Sequence, residues 1–308
     1  MYKRQLYQDF AEFLRGYFPG KMQKLTVNVN LSCPNRDGTI GRGGCTYCNN
    51  QSFSPAFANG DLSVAGQLAM ARRFFAKKYP QMRYLAYFQA YTNTHAELQV
   101  LQRMYEEALG VEDVDGLIIG TRPDCMPARL LEYLSELHRR RWVMVEYGAE
   151  SANNSTLELV NRCHTWEQTA DAVERTHRAG IPVGLHIIMG LPGETKEDML
   201  HTIRAINALP VDVVKIHQLQ LIRGTRMARD VEAGVYDVHR FTVDEYVELC
   251  CEVVRLLRKD IAIERFVSQS PSELLISPRW GLKNYQFTSL VHKSLMQGNN
   301  GGSLSLDK

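Results

Sequence analysis

Short apolar segments alternate with longer amphipathic segments along most of the chain. The short segments have the length of strands and the continuous or alternating hydrophobicity of a buried sheet. The six predicted strands are residues 25–31, 84–89, 117–121, 143–147, 183–189 and 213–219. Because a longer segment follows each of them, the pattern predicts a parallel sheet built from strand–helix units.

The longer segments repeat apolar residues every three to four positions, as helices with one buried face do. The six predicted helices are residues 63–78, 96–108, 127–140, 165–179, 196–209 and 243–257. Ser63 is a suitable N-cap for the first of them. Gly180 and Pro182 follow the fourth and are typical stop signals. A further amphipathic helix is predicted near the N-terminus.

Six strand–helix units are fewer than the eight of a complete barrel. We therefore predict an α/β fold in which residues 24–260 form a partial (β/α)6 TIM-type barrel of parallel strands. An open doubly wound sheet is the alternative, because periodicity does not decide whether a sheet closes. Residues 1–23 are predicted to be an N-terminal helical extension and residues 261–308 a C-terminal extension that covers the barrel. The second extension contains a predicted short strand (261–267) and a helix (287–296).

Composition narrows the class of protein. The chain has 308 residues, of which 44% are hydrophobic and 23% charged, as is usual for a globular protein. Its net charge of +2 (36 basic minus 34 acidic residues) gives no electrostatic reason to expect a DNA-binding protein. No apolar run approaches the roughly 20 residues that span a bilayer, and the N-terminus lacks a signal-peptide pattern. Seven cysteines are too few for a disulfide scaffold. We expect a cytoplasmic protein with no membrane contact.

Three cysteines lie in one loop after the first predicted strand. Cys33, Cys45 and Cys48 have the spacing C-x11-C-x2-C, and Gly41, Gly43 and Gly44 just before the second cysteine allow a tight fold. This loop follows the carboxyl end of a strand, where parallel α/β folds place their ligand sites. The sequence therefore predicts a site in which three thiols meet.

Four interpretations of the loop remain. A structural zinc site takes four protein ligands, so it needs a residue such as His95 in addition. A cluster used only to relay electrons also takes four cysteines. A [4Fe–4S] cluster with three cysteines leaves one iron free to bind a small molecule. Unpaired structural thiols are the simplest alternative to a metal site.

Together with three further motifs, the loop resembles the radical S-adenosylmethionine (SAM) superfamily from about residue 24 to residue 223. The motifs are TRPD (121–124), NRCHT (161–165) and MGLPGET (189–195). The long gap between the first two cysteines departs from the usual C-x3-C-x2-C of the superfamily. It occurs in the branch that contains the catalytic subunit of the Elongator complex and the bacterial YhcC-type proteins.

The resemblance implies a [4Fe–4S] cluster on the three cysteines and SAM bound at its open iron. It also implies a one-electron donor such as flavodoxin or ferredoxin, and cleavage of SAM to methionine and a 5′-deoxyadenosyl radical. The implied SAM contacts are Tyr47 to adenine; Gln89, Thr92 and Asn93 to the methionine part; Glu150 and His186 to the ribose; and Arg162 to the carboxylate. Each has an ordinary structural alternative, such as loop packing for Tyr47 and helix capping for Thr92 and Asn93.

The substrate stays open between RNA and a small metabolite. The branch resemblance favours a transfer RNA, with phosphate contacts from Arg122, Arg139, Arg140, Arg141 and Arg223. The low net charge favours a metabolite. His217 on the sixth strand is expected to face the cavity, and the segment around Trp280 and Lys283 is expected to line its lateral opening. A zinc-stabilised barrel that acts as a binding module without redox chemistry is the alternative function.

Overall fold

A curled sheet of parallel strands forms the centre of the fold. The computed structural model describes residues 6–52, 55, 58–76 and 81–300. The seven strands of the sheet are β1 (Met22–Val27), β2 (Arg83–Phe88), β3 (Val114–Thr121), β4 (Trp142–Glu150), β5 (Val183–Met189), β6 (Val213–Gln218) and β8 (Ala262–Arg265). Their order is β1-β2-β3-β4-β5-β6-β8, and all neighbours are parallel. The predicted partial barrel is confirmed.

The sheet has one strand more than the six predicted units. The pattern indicated a short strand at 261–267, but nothing in it showed that this strand pairs with β6, as β8 does. β8 therefore belongs to the barrel although it lies in the segment 261–308 that was predicted as a covering extension. The division of the chain at residues 23 and 260 stays a prediction.

Eleven helices are described, and the longer ones between consecutive strands cover the outer face of the sheet. The eleven are α1 (Phe10–Arg15), α2 (Pro34–Asp37), α3 (Val64–Ala76), α4 (Leu98–Leu109), α5 (Ala128–Arg140), α6 (Asn154–Leu159), α7 (Trp166–Arg178), α8 (Lys196–Asn207), α9 (Arg226–Glu232), α10 (Val243–Leu256) and α11 (Asn284–Asn300). Capping boxes at Thr165, Thr195 and Thr242 explain where three of them begin. The predicted end of the helix at 63–78 lies outside the described residues. Within them, no helix is both long and apolar enough to cross a membrane.

The inner face of the sheet has an apolar layer of side chains at one end of the barrel and polar residues at the other end. At the amino ends of the strands, side chains such as Leu85, Ile118 and Met144 form an apolar layer with Phe13 and Leu14 of α1. The N-terminal helix thus closes the lower end of the barrel with its apolar face. The upper end, where the strands finish, stays open and contains the polar residues described below.

The C-terminal segment packs on the outside of the barrel. Trp280 stacks on Phe287 of α11 at 5.7 Å, and its indole nitrogen donates to the carbonyl of Phe241 at 3.0 Å. The amide of Lys283 is bonded to Gln286 at the start of α11. The prediction that Trp280 and Lys283 line the opening is therefore wrong, because their segment anchors α11 against α10. A short ribbon of β7 (Leu221–Ile222) and β9 (Leu275–Ser277) joins this segment to the rim.

Candidate active site

A cavity of about 220 Å³ opens at the carboxyl ends of the strands. The predicted cluster and SAM residues that line it, together with His217, are Cys33, Cys45, Tyr47, Cys48, Gln89, Thr92, Glu150, Arg162 and His186. They come from five strands or the loops after them, so a curled sheet is needed to bring them together. The structure thus gathers almost the whole predicted set at one site.

The cysteine loop is held in place by the segment that carries the NRCHT motif. The Asn35 amide donates to the carbonyl of Asn161 at 2.5 Å, and the Asn161 amide donates to the carbonyl of Gly44 at 2.8 Å. Gly44 has a φ of +74°, and a Cβ there would lie 2.8 Å from Nε of Arg36. The glycine therefore provides both the left-handed backbone and the space that the turn requires.

The three thiols line the cavity in an environment that favours metal binding. Burial raises the pKa of Cys48 to about 11, and the neighbouring Cys45 adds to this. Nη1 of Arg162 lies 3.4 Å from Sγ of Cys45, and Nδ2 of Asn35 lies 3.7 Å from it. Burial by itself favours the protonated thiol, but the N–H donors beside Cys45 stabilise a thiolate there, and binding of a metal cluster releases the thiol protons. The donor set therefore fits a cluster bound by three cysteines.

The structure gives no sign of a site for a single metal ion. Among the described residues, no three His, Cys, Asp or Glu side chains are grouped closely enough to hold one ion. His95, the fourth ligand considered for zinc, bonds instead to Asp37, with 2.9 Å between Nε2 and Oδ2.

Arg162 is the central cation of the cavity wall. Its Nη2 donates to the carbonyl of Gly148 at 2.6 Å and lies 3.3 Å from the carboxylate of Glu150. Its terminal nitrogens are thus occupied by Cys45, Gly148 and Glu150, while its Nε is buried without a partner. A two-bond fork to a SAM carboxylate is not preformed, and this role of Arg162 stays a prediction.

Glu150 reaches Arg162 because of unusual backbone geometry at the end of β4. Its φ is +66°, and a shift in register between Gly148 and Glu150 turns its side chain toward the cavity. A Cβ on Gly148 would lie 2.5 Å from both Arg162 Nη2 and Glu150 Oε1. Glycine at position 148 is therefore a condition for the ion pair.

The remaining predicted SAM contacts differ in their positions. Thr92 lines the cavity, and its hydroxyl is buried without a partner. The hydroxyl of Tyr47 is also buried without a partner, and its ring packs beside Leu191 of the MGLPGET turn. Asn93 is fully buried behind the wall and bonds to the carbonyl of Gly120 at 2.8 Å, so it does not line the cavity. That Asn93 binds the cofactor stays a prediction.

Four of the five arginines predicted to contact RNA lie away from the exposed rim of the cavity. Arg122 is only 2% exposed and forms two bonds to Asp124, at 2.9 and 2.7 Å. Arg122 also lines the cavity, so the TRPD motif contributes a residue to the candidate active site. Arg141 bonds to the carbonyl of Val114, the first residue of β3, so the arginines at 139–141 lie at the opposite end of the sheet. Among these candidates only Arg223 remains on the surface near the rim.

A layer of buried charges forms the cavity floor, and sequence reasoning missed most of it. Glu146 is 1% exposed and receives Nζ of Lys24 at 2.7 Å and Nε2 of His186 at 2.7 Å. Burial opposes its ionisation, but Lys215 and Lys24 hold the pKa of Glu146 well below its usual range. Burial lowers the pKa of Lys215 to about 8, although Glu146 and Glu264 oppose the change. The sequence feature that could have revealed this layer is the presence of polar residues at inward-facing positions of otherwise apolar strands.

Comparisons with known proteins agree with this geometry. The family model described as "Radical SAM superfamily" matches residues 35–206, and that described as "Radical_SAM C-terminal domain" matches residues 211–297. The uncharacterized protein YtqA of Bacillus subtilis is 34% identical over 289 residues, with 94% of this chain and 89% of that protein covered. Protein YhcC of Escherichia coli K12 is 36% identical over 281 residues, with 91% and 89% covered.

The solved structures show a similar fold. The structure of archaeal Methanocaldococcus infernus Elp3, with an N-terminal deletion, matches with a TM-score of 0.66 at 17% identity. The match covers 90% of this chain and 63% of the Elp3 chain. At this identity the likeness concerns the fold of the barrel.

Proposed function

Because this chain belongs to the radical SAM superfamily, we propose that it is an enzyme with a [4Fe–4S] cluster on Cys33, Cys45 and Cys48 and with SAM bound beside them. The observation that carries the proposal is that these three thiols line one cavity together with Arg162 and Glu150. A three-cysteine cluster leaves an iron for SAM, and the cavity provides the space next to it.

Cys33, Cys45 and Cys48 would hold the cluster, which would supply the electron for cleavage of SAM to methionine and a 5′-deoxyadenosyl radical; this radical would then take hydrogen from the substrate. An external one-electron donor such as flavodoxin or ferredoxin supplies the electron. The protein binds, orients and shields the reactants.

The residues of the wall have distinct tasks in this proposal. Arg162 and Asn35 stabilise the negative charge of Cys45 through their N–H groups. The unpartnered hydroxyls of Thr92 and Tyr47 and the side chain of Gln89 bind polar groups of SAM. Glu150 accepts hydrogen bonds from the ribose, with its carboxylate held by Arg162. His186, anchored on Glu146, lies below the ribose position.

The test is anaerobic reconstitution of the full-length protein with iron and sulfide. We expect a brown protein with broad absorption near 400 nm that forms 5′-deoxyadenosine from SAM and a reductant. Cys33→Ala, Cys45→Ala and Cys48→Ala should each lose most of the iron, since each removes one of three ligands. Cys250→Ala and Cys251→Ala, two buried cysteines of α10, are the matched controls and should retain it. A colourless protein that binds zinc instead of iron contradicts the proposal and favours the zinc-stabilised binding module.

A further inference from the structure

Arg265, the last residue of β8, lines the cavity floor without an acidic partner. Its Nη2 lies 3.1 Å from Nε2 and 3.3 Å from Nδ1 of His217, and its Nε is buried with no partner at all. In the described part of the chain, no carboxylate lies within 4.0 Å of its guanidinium. Arg265 is half-buried, and an arginine in such a position normally has an acidic partner, because an unpaired charge is costly to remove from water.

The surrounding charges do not neutralise Arg265. The floor contains three cations, Lys24, Lys215 and Arg265, and two carboxylates, Glu146 and Glu264. Lys24 lies 2.7 Å from Glu146 and 2.5 Å from Glu264, and Lys215 lies 3.4 Å and 3.1 Å from the same two groups. The lysines thus occupy both carboxylates, and one positive charge remains.

The histidines beside Arg265 do not change this balance. Burial, with Arg265 adding to it, holds the pKa of His217 well below its usual range, so His217 is neutral and accepts the arginine N–H. Burial and Lys215 also lower the pKa of His186. The other residues that line the cavity near the ends of β6 and β8 are neutral and include Gln218, Ser268 and Ser270.

Two other arginines of the cavity differ from Arg265 in this respect, because Arg122 has Asp124 and Arg162 has Glu150. Arg36 also lacks a carboxylate partner among the described residues, but it lies at the cysteine loop, where it donates to the carbonyl of Cys48. Arg265 lies on the last strand, at the edge of the sheet opposite to β1 and the cysteine loop. Above it is a wall of amide and hydroxyl groups, in which the carbonyl of Ser268 accepts hydrogen bonds from Gln218 and Gln220.

We propose that Arg265 binds a carboxylate or phosphate group of the substrate, which is therefore a small anionic molecule held on the cavity floor. That the bound anion is the substrate rests on the proposed function. That Arg265 binds an anion does not depend on it. A small molecule is favoured over RNA because the guanidinium lies within the barrel and its Nε is closed to solvent. The neutral amides and hydroxyls of the wall are suited to bind the uncharged part of the molecule.

The experiment measures anion binding by the iron-loaded full-length protein under anaerobic conditions. Inorganic phosphate and malonate are the probes, titrated by calorimetry with SAM present; they distinguish the two sources of negative charge. We expect saturable binding of at least one probe, weakened about 10-fold or more by Arg265→Gln and partly restored by Arg265→Lys. Arg223→Gln, which changes an exposed arginine outside the cavity, should bind like the wild type.

Iron content and SAM affinity of each variant separate this proposal from the proposed function. Unchanged iron and SAM binding in Arg265→Gln, with loss of anion binding, supports the assignment. Parallel loss of SAM binding places Arg265 in the SAM site and overturns it, as does equal anion binding by Arg265→Gln. Absence of probe binding while an RNA hairpin binds also overturns it. If the protein takes up no iron but still binds the anion through Arg265, the proposed function is refuted and the anion-binding proposal stands.

Discussion

Lys24 and Glu264 join the two edges of the sheet. They lie 240 positions apart in the sequence, on the first and last strands, and Nζ of Lys24 is 2.5 Å from the carboxylate of Glu264. The partial barrel therefore has no open gap at this level, and its interior is closed by an ion pair where a complete barrel has further strands. The same lysine bonds to Glu146, which links the closure to the cavity floor.

Replacement of Lys24 should destabilise the fold. Lys24→Met leaves Glu264 and Glu146 with Lys215 as their shared cation, so we expect the free energy of unfolding to fall by about 3 kcal/mol, the cost of breaking a buried ion pair. Urea denaturation measures the change. Lys21→Ala, at an exposed position just before β1, is the control and should have little effect. The double variant Lys24→Met/Glu264→Gln should recover part of the loss; wild-type stability of Lys24→Met would show that the ion pair does not hold the edges together.

Gly148 should tolerate no larger residue. Gly148→Ala places a Cβ 2.5 Å from both Arg162 and Glu150 and must displace one of them. We expect a folded protein whose SAM affinity falls on the order of 10-fold or more, because the ion pair loses its geometry. Equilibrium binding of SAM to the iron-loaded protein measures this. Gly20→Ala, where a Cβ meets nothing within 4 Å, is the matched control. Equal SAM affinity in the two variants would contradict the role of the pair.

Arg162→Lys should separate cluster binding from SAM binding. A lysine has one nitrogen and cannot serve both Cys45 and the carbonyl of Gly148, as the guanidinium does. We expect iron to be retained and SAM binding to weaken by about 1.5–3 kcal/mol, the scale of a charged hydrogen bond. Arg226→Lys, on the surface of α9, provides the comparison. If the affinity for SAM is unchanged, Arg162 only supports the loop.

Glu194 in the MGLPGET turn should make stability depend on pH. Burial raises its pKa to about 7, and hydrogen bonds from Ser151 and Thr156 only partly oppose the shift. The folded state thus binds the proton more tightly than the unfolded state, so this contribution is complete below about pH 4.5 and is lost as the pH rises through 7. Glu194→Gln should therefore gain stability relative to wild type between these pH values, by up to about 3 kcal/mol.

The check for Glu194 is urea denaturation at pH 5 and pH 8. The difference in unfolding free energy between Glu194→Gln and wild type should be larger at pH 8. Glu197→Gln, an exposed carboxylate two positions into the following helix, should show no such change. A difference that is the same at both pH values would show that Glu194 ionises normally.

The sequence alone determined the strand–helix units and the cysteine loop. β5 begins and ends where hydrophobicity placed it, β2 differs by one residue at each end, and β6 differs by one residue at its carboxyl end. Cys33, Cys45 and Cys48 were found because their spacing and their position after a strand are local properties. Most of the predicted wall residues also reached the cavity, since the carboxyl ends of parallel strands meet at one rim.

Only the tertiary structure decided which polar side chains face one another. Lys24, Glu146 and Glu264 look like single charges in apolar strands, and their pairing depends on strand register and on the curl of the sheet. The inward position of Arg265 depends on the shift in register between β6 and β8, and Asn93 was turned behind the wall by its bond to Gly120. Periodicity gives the face of a strand, but which residues share a level inside the barrel is set by how all seven strands align.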